Sequence, residues 1–341
     1  MSTSSQVLQG RVMQYAPFVA WAAWFLVAWT TAVVCLGLGP TVAREWPIAV
    51  AMALGSYVAG STPMGGGTVG FPILVLLFGE PVGLGRNFSF LIQSVGMSSA
   101  TILILCGRLP LAVRPLLWSM AVAAVVLPIA SRTIVPVLPD AVVKLVFAVI
   151  WAGFGIMTLV KLKQILTPHP RIARSAGFDA GAGIAAGLVG GLAASATGVG
   201  IDMVLYCILV LLYRADLRTA VATSVVVMAF TSLVGALNAA TLGQIDVPVL
   251  SKWVAAAPIV LLGAPLGVLM MRLIPRGVTL VTVSLLCLAQ YVWALTNVGL
   301  TWATLGGSLL AVLLLNACFH FMYRFAEPPD TLSKAPSPRT E

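Results

Sequence analysis

The stretch Gly60–Leu77, GSTPMGGGTVGFPILVLL, decides how this chain is read. Three consecutive glycines, Gly65–Gly67, stand between Pro63 and Pro72 inside sequence that is otherwise continuously apolar. Glycine and proline are the poorest helix formers, glycine for its backbone entropy and proline because it lacks an N–H and clashes with the preceding turn. A helix is therefore broken here. In hydrocarbon an unsatisfied backbone polar group is costly, so irregular backbone survives at depth only where it lines a cavity or is buried in protein.

The surroundings make hydrocarbon the right solvent. The chain has 341 residues, 60% hydrophobic and only 9% charged, whereas soluble domains carry roughly 25% charged residues. Uncharged runs of about twenty residues alternate with short basic clusters, the pattern of spanning helices. A β-barrel would instead show alternating segments of about ten residues. Spans are expected near 17–39, 88–106, 116–136, 141–160, 219–242, 253–271, 277–297 and 302–323. The stretches 48–79 and 180–213 are interrupted by Gly, Ser, Thr and Pro, and read as hairpins or paired half-helices. The first run, Ala16–Leu38, is too long for a signal-peptide core and lacks a small-residue cleavage site, so it reads as a retained helix. Trp21, Trp24 and Trp29 on it suit interfacial anchoring and lipid-facing packing.

A hairpin leaves the chain on the side where it began, so sidedness can be counted. With the N-terminus inside, 14 of the 19 basic residues fall on the cytoplasmic side, Lys161, Arg174 and Arg214 among them. Five fall outside: Arg44, Arg86, Arg132, Lys144 and Lys252. This is the positive-inside bias. It predicts a multi-pass protein of the cytoplasmic (inner) membrane with both termini cytoplasmic. The net charge of +9 then serves topology and lipid headgroups, not nucleic acid. The five cysteines are isolated, without disulfide or metal spacing. His169 and His320 have no partner at ligand or triad spacing.

The chain also repeats itself. ILVLL occurs at Ile73–Leu77 and at Ile208–Leu212, an offset of 135 residues. At that offset Leu74–Ser89 lies over Leu209–Ser224, and TPMG (Thr62–Gly65) over TGVG (Thr197–Gly200). One residue later in offset, GRLP (Gly107–Pro110) meets GQID (Gly243–Asp246), and Pro139 meets Pro275. Each copy is a broken hairpin followed by three spans. Because three is odd, the second copy enters from the opposite side. The expected fold is an all-α polytopic membrane protein of two inverted repeats, with one extra helix at each end. The segments are 1–47 (N-terminal tail and first helix), 48–160 (repeat 1), 161–179 (basic cytoplasmic linker), 180–297 (repeat 2), 298–323 (last helix) and 324–341 (disordered tail).

Inverted repeats place a substrate near mid-membrane against the interrupted helices. Backbone N–H groups at a half-helix start attract an anion, helped by the helix dipole. The candidate binding groups are therefore the breaks themselves: Thr62, Gly65, Gly66, Gly67 and Thr68 in the first copy, Thr197, Gly198 and Gly200 in the second. Polar residues leading the next span complete the cage: Asn87, Ser89 and Gln93, then Thr223 and Ser224. Gly65–Gly70 formally matches GxGxxG, but the strand and soluble βαβ unit that a dinucleotide site requires are missing. Gly183, Gly187 and Gly191, like Gly263 and Gly267, recur every fourth residue and predict close helix contact. Asp202 lies in the apolar run GVGIDMVLYCILVLL, where a carboxylate costs about 2.5–3.5 kcal/mol. It either takes up a proton coupled to transport or caps the helix it begins. Its repeat partner is Gly67.

The pieces Ser61–Gly79, STPMGGGTVGFPILVLLFG, and Ser195–Ser224, SATGVGIDMVLYCILVLLYRADLRTAVATS, resemble the sulfite exporter TauE/SafE family over residues 48–297. The resemblance implies a transporter of small anions such as sulfite, sulfoacetate and other sulfur-containing organic anions. It puts Gly65, Gly66, Gly67 and Pro72 on the family's glycine–proline motif. The second copy departs from it, with GVGIDM in place of a triple glycine and Cys207 opposite Pro72. Alternating access is the expected mechanism. Export is favoured, since an anion leaving an inside-negative cell gains about 2.3 kcal/mol per charge per 100 mV. An anion or solute channel using the same cavity without alternating access is the alternative. Catalysis would need a constellation that one buried Asp does not provide, so no enzyme activity, cofactor or metal is expected. The expected partners are a small anion and the bilayer, with a homo-oligomer compatible.

Overall fold

The computed structural model describes residues 13–62, 67–167, 174–270 and 275–326. Gly65 and Gly66, the middle of the linker and the C-terminal tail lie outside the described residues. Among those described, the fold is helical throughout. It runs α1 (Ala16–Cys35), α2 (Gly39–Arg44), α3 (Trp46–Ser61), α4 (Gly67–Pro72), a π-helical turn (Ile73–Leu77), α5 (Val82–Cys106), α6 (Val113–Thr133) and α7 (Asp140–Val160). Then come α8 (Leu162–Leu166), α9 (Ala176–Thr197), α10 (Ile201–Leu212), α11 (Leu217–Thr241), α12 (Val247–Met270), α13 (Arg276–Val298) and α14 (Trp302–Phe325). Nine of the described helices are long and apolar enough to cross a bilayer. They include each of the eight spans expected from the sequence, and α9 besides. The protein is a polytopic membrane protein.

Helix ends follow local chemistry. Ser175 caps α9 by accepting from the Phe178 N–H, Asp216 caps α11 through Thr219, and Thr301 with Thr304 forms a capping box on α14. Pro72 cannot donate to the turn before it. The following residues widen into the π-helical turn, closed by Phe78 N–H to the Ile73 carbonyl at 3.0 Å. In the second copy Cys207 keeps its N–H, and α10 runs as a regular α-helix.

The duplication is visible in the backbone. α5 and α11 start and stop at the same 135-residue offset. So do the turns around them: Glu80 N–H bonds the Leu74 carbonyl at 2.9 Å, and Ala215 N–H bonds the Leu209 carbonyl at 3.0 Å. The left-handed residues pair as well, Gly79 (φ 70) with Arg214 (φ 48), and Arg108 (φ 48) with Gly243 (φ 65). This last pair corrects the alignment of GRLP with GQID. The helix-ending position equivalent to Gly243 is Arg108, not Gly107, and the offset is still 135 there. It reaches 136 by Pro139 and Pro275, which precede α7 and α13.

The two halves exchange partners. α3 packs on α12 and α9 on α6, while α5 packs on α11 and α7 on α13. α5 and α11 run antiparallel. Asn87, near the start of α5, donates to the Gln244 carbonyl beyond the end of α11 at 2.9 Å. Thr223, near the start of α11, accepts from the Ala112 N–H beyond the end of α5 at 3.0 Å. The glycine stripes sit at the crossed contacts, as their spacing predicts. Gly183, Gly187 and Gly191 face Pro115, Val122 and Val126 of α6. Gly263 and Gly267 face Ser56 and Tyr57 of α3, and Gly60 meets the Ala264 carbonyl of α12.

Each hairpin returns to the face it came from. α9 has 22 residues and α10 only 12, about 33 and 18 Å. The first arm is long enough to cross and the second is not. Tyr213, after α10, donates to Asp179 near the start of α9 at 2.7 Å, and Arg114 of α6 lies 3.9 Å from the same carboxylate. At the other hairpin Lys252 of α12 joins Glu45, just before α3, to Glu80, just after the π-turn, at 3.9 and 3.0 Å. Lys252 thus bridges the two arms of the first hairpin, while in the second the Tyr213–Asp179 hydrogen bond joins the arms and Arg114 lies beside it. α1 is pinned from outside: Trp21 donates to the Ser99 hydroxyl (2.7 Å) and Trp29 to the Val254 carbonyl (2.9 Å). These two tryptophans therefore dock the helix, whereas Trp24 is exposed.

At Gly187 a Cβ would lie 2.7 Å from the Val122 Cβ and 2.8 Å from the Ser119 carbonyl oxygen, while at Gly181 it meets nothing within 4 Å. Gly187→Ala is expected to lower stability by about 1–3 kcal/mol through overpacking. Gly181→Ala is expected to be neutral or to gain up to about 1 kcal/mol of helix propensity. Thermal unfolding of the purified protein in detergent checks the pair.

Candidate functional site

The site is built around the break between α9 and α10. Two glycines make it possible, with φ of 80° at Gly198 and 118° at Gly200, both in the left-handed region that side chains disfavour. At Gly198 there is also no room: a Cβ would lie 2.7 Å from both the Arg86 carbonyl oxygen and the Ser89 Cβ. The break therefore rests directly on the start of α5.

The amides of this break are not bare. Gly198 N–H bonds the Ala194 carbonyl (2.8 Å), Val199 N–H meets the Thr197 hydroxyl (3.4 Å), and Gly200 N–H reaches the Asp202 carboxylate (3.2 Å). Asp202 also accepts from Met203 N–H at 3.0 Å and is 1% exposed. It sits in the first turn of α10 and takes the Gly200 N–H, one of the donors that the sequence reading offered to a ligand. Buried N–H groups must find acceptors, and a carboxylate at a helix N-terminus is doubly favoured there, by hydrogen bonding and by the dipole.

Gln93 links this break to the other half of the bundle. Its amide nitrogen donates to the Gly198 carbonyl (3.0 Å) and to the Ser89 carbonyl (2.9 Å). Its carbonyl oxygen is buried without a partner. The same side chain borders a cavity of about 10 Å³ with Ser56 and Ala59 of α3 and with Val260 and Ala264 of α12. That is room for about one water molecule. Gln93 thus touches the break of one hairpin and faces the first arm of the other.

The remaining sequence candidates gather along α5, α11 and the helix ends. Ser89 donates to the Gly85 carbonyl, Thr223 to Thr219 and Ser224 to Val221, each within its own helix and each buried. Thr197 lies against the Ala193 and Val199 carbonyls. Thr62 marks the end of α3, in extended conformation, with its hydroxyl on the Val58 carbonyl at 2.7 Å. Gly67 and Thr68 open α4. Gly65 and Gly66, also named as binding groups, lie outside the described residues.

Asn87 differs from a free ligand group. Its amide nitrogen is held by the Gln244 carbonyl, and its oxygen accepts from Arg86 Nε at 3.0 Å. Arg86 Nη2 in turn donates to Gln244 Oε1 at 2.8 Å. Sequence reasoning missed Arg86 and Gln244. It assigned Arg86 to the outer loops, yet the residue is 7% exposed and its backbone touches the break. Two polar residues in succession, Arg86 and Asn87, at the head of an apolar run were the available signal.

Behind the half-helices stands α7. Phe71 of α4 stacks on Phe147 (4.9 Å between ring centroids), Phe147 on Trp151 (4.1 Å), and Tyr206 of α10 lies against Phe154 (5.8 Å). Phe71 and Tyr206 are partners at the 135-residue offset, so equivalent positions of both half-helices meet one aromatic face.

Hairpins broken at glycine and crossed between two helical halves define the class, a polytopic membrane protein of the transporter kind. The family model described as Sulfite exporter TauE/SafE matches residues 48–294, and the chain belongs to this membrane transporter family. The match spans α3 to α13 and leaves α1 and α14 outside. No curated protein and no solved structure matches the chain.

Asp202→Ala strips an acceptor from two buried N–H groups and is expected to cost about 2–3 kcal/mol. Asp202→Asn keeps an acceptor oxygen in place and is expected to cost less than half as much. Melting temperatures of the two variants in detergent separate them.

Proposed function

We propose that this protein moves small anions, of the sulfite or organosulfonate kind, outward across the cytoplasmic membrane. The two halves are inverted relative to each other and rock about the α5–α11 pair, exposing the space between the broken hairpins to one side at a time. The observation that carries this reading is the position of Gln93, bonded to one hairpin's break and facing the other hairpin's first arm. A residue so placed senses both halves.

The hydroxyls suit the task. Ser89, Thr223 and Ser224 spend their donors on carbonyls of their own helices, which already accept a helical N–H. Turning such a hydroxyl toward an oxyanion leaves no carbonyl orphaned, so the exchange costs little. The cavity beside Gln93 is far smaller than a sulfur oxyanion. Under this reading the site must widen before it binds.

The test is flux in proteoliposomes. Sulfite uptake into sulfite-loaded vesicles is expected to saturate and to show counterflow; linear, non-saturating conductance would point to a channel instead. Gln93→Leu is expected to reduce flux by about tenfold, the equivalent of one lost hydrogen bond of ordinary strength. Asp202→Asn tests coupling under an imposed pH gradient. If the pH dependence of flux survives that change, the carboxylate is a cap and not a proton carrier.

A further inference from the structure

We propose that Arg86 is the positive charge that holds the transported anion at the outer end of the site, a role that rests on the anion-transport reading above. Its guanidinium carries five N–H donors. Nε is spent on Asn87 Oδ1 (3.0 Å) and one Nη2 hydrogen on Gln244 Oε1 (2.8 Å), both neutral amide oxygens. Among the described residues no carboxylate lies within salt-bridge distance of it. A cation this deeply buried is costly unless something negative completes it.

Lys252 supplies the contrast. It is buried to a similar degree, and the chain gives it two carboxylates, Glu80 and Glu45. Lys252 is thus neutralised from within the chain. Arg86 is not. The position also fits. The Arg86 backbone lies against Gly198, and its side chain reaches Gln244 in the turn beyond α11, so hairpin break, α5 and the end of α11 converge on it. The N-terminus of α10 is already occupied by Asp202, which leaves the guanidinium to attract the anion. Its planar fork matches two oxygens of a sulfite or sulfonate group. Asn87, held at its nitrogen by the Gln244 carbonyl, must present its oxygen to Nε and fixes the fork's orientation.

Sulfite binding by the purified full-length protein in detergent, followed by thermal shift at constant ionic strength, tests this. Arg86→Gln is expected to weaken binding by roughly 30-fold or more, the scale of removing a buried charge partner, while Arg86→Lys stays within several-fold of wild type. Gln244→Glu leaves the arginine in place but pairs it internally, and is expected to lose sulfite binding to the same extent. That variant keeps the test open if Arg86→Gln does not fold. Unchanged sulfite affinity in Arg86→Gln or Gln244→Glu overturns the proposal, as does a Gln variant milder than the Lys variant, the pattern of a residue that only rivets α5 to the turn after α11. Flux that persists with unaltered affinity in these variants overturns the role of Arg86 and leaves transport standing. Arginine-dependent sulfite binding without flux does the reverse.

Discussion

A peptide group withdrawn from water must find a partner inside the protein, and the arrangement of this molecule follows from that demand. Two helices stop in the apolar interior, and each stop frees backbone groups that lipid cannot satisfy. At the second break the donors are absorbed by the Ala194 carbonyl, the Thr197 hydroxyl and the Asp202 carboxylate. The Gly198 carbonyl is taken by Gln93 from α5. The break is therefore not a loose loop. It is a bonded joint, and its bonds run to the neighbouring span as well as within the hairpin.

From that joint the rest of the packing is constrained. Gly198 brings the break onto the α5 backbone at Arg86 and Ser89, a contact no side chain would permit. α5 in turn lies antiparallel to α11, pinned at both ends by Asn87 and Thr223. The hairpins are carried by the opposite halves, α3 on α12 and α9 on α6, with glycine at the crossings so that backbones meet directly. Neither half buries its hairpin alone. The exchange makes the two copies one body, and Lys252 with Glu45 and Glu80, and Tyr213 with Asp179, join the arms of the two hairpins at their ends.

Much of this was legible in the residues. Apolar runs and their interruptions located the spans and both hairpins, because lipid imposes length and uniformity on helices. Glycines every fourth residue announced the crossings. The ILVLL repeat gave the offset that the hydrogen bonds of the turns bear out. What escaped the reading did so for physical reasons. Counting charges assigns Arg86 to a side of the membrane but not to a depth, so a buried guanidinium looked like a loop residue. The turns at Arg108 and Arg214 adopt the left-handed conformation without glycine, so a search for matching glycines slipped the first of them by one. The amides around Gly198 were expected to be open, yet the Ala194 carbonyl, the Thr197 hydroxyl and Asp202 accept from them; a carboxylate at a helix start reads equally well as cap or carrier until its distances are known.

The widened turn after Pro72 has a consequence for how such a molecule divides its time. Two identical halves exchanging roles would make the outward and inward forms degenerate, like the two settings of a balanced seesaw. Here one half-helix is distorted by proline while its twin runs regular through Cys207, and one start bears a carboxylate where the other bears glycine. Exchange of roles then lifts the degeneracy. Under the proposed mechanism the unloaded protein idles facing one compartment in preference to the other, an intrinsic bias present before any gradient is applied.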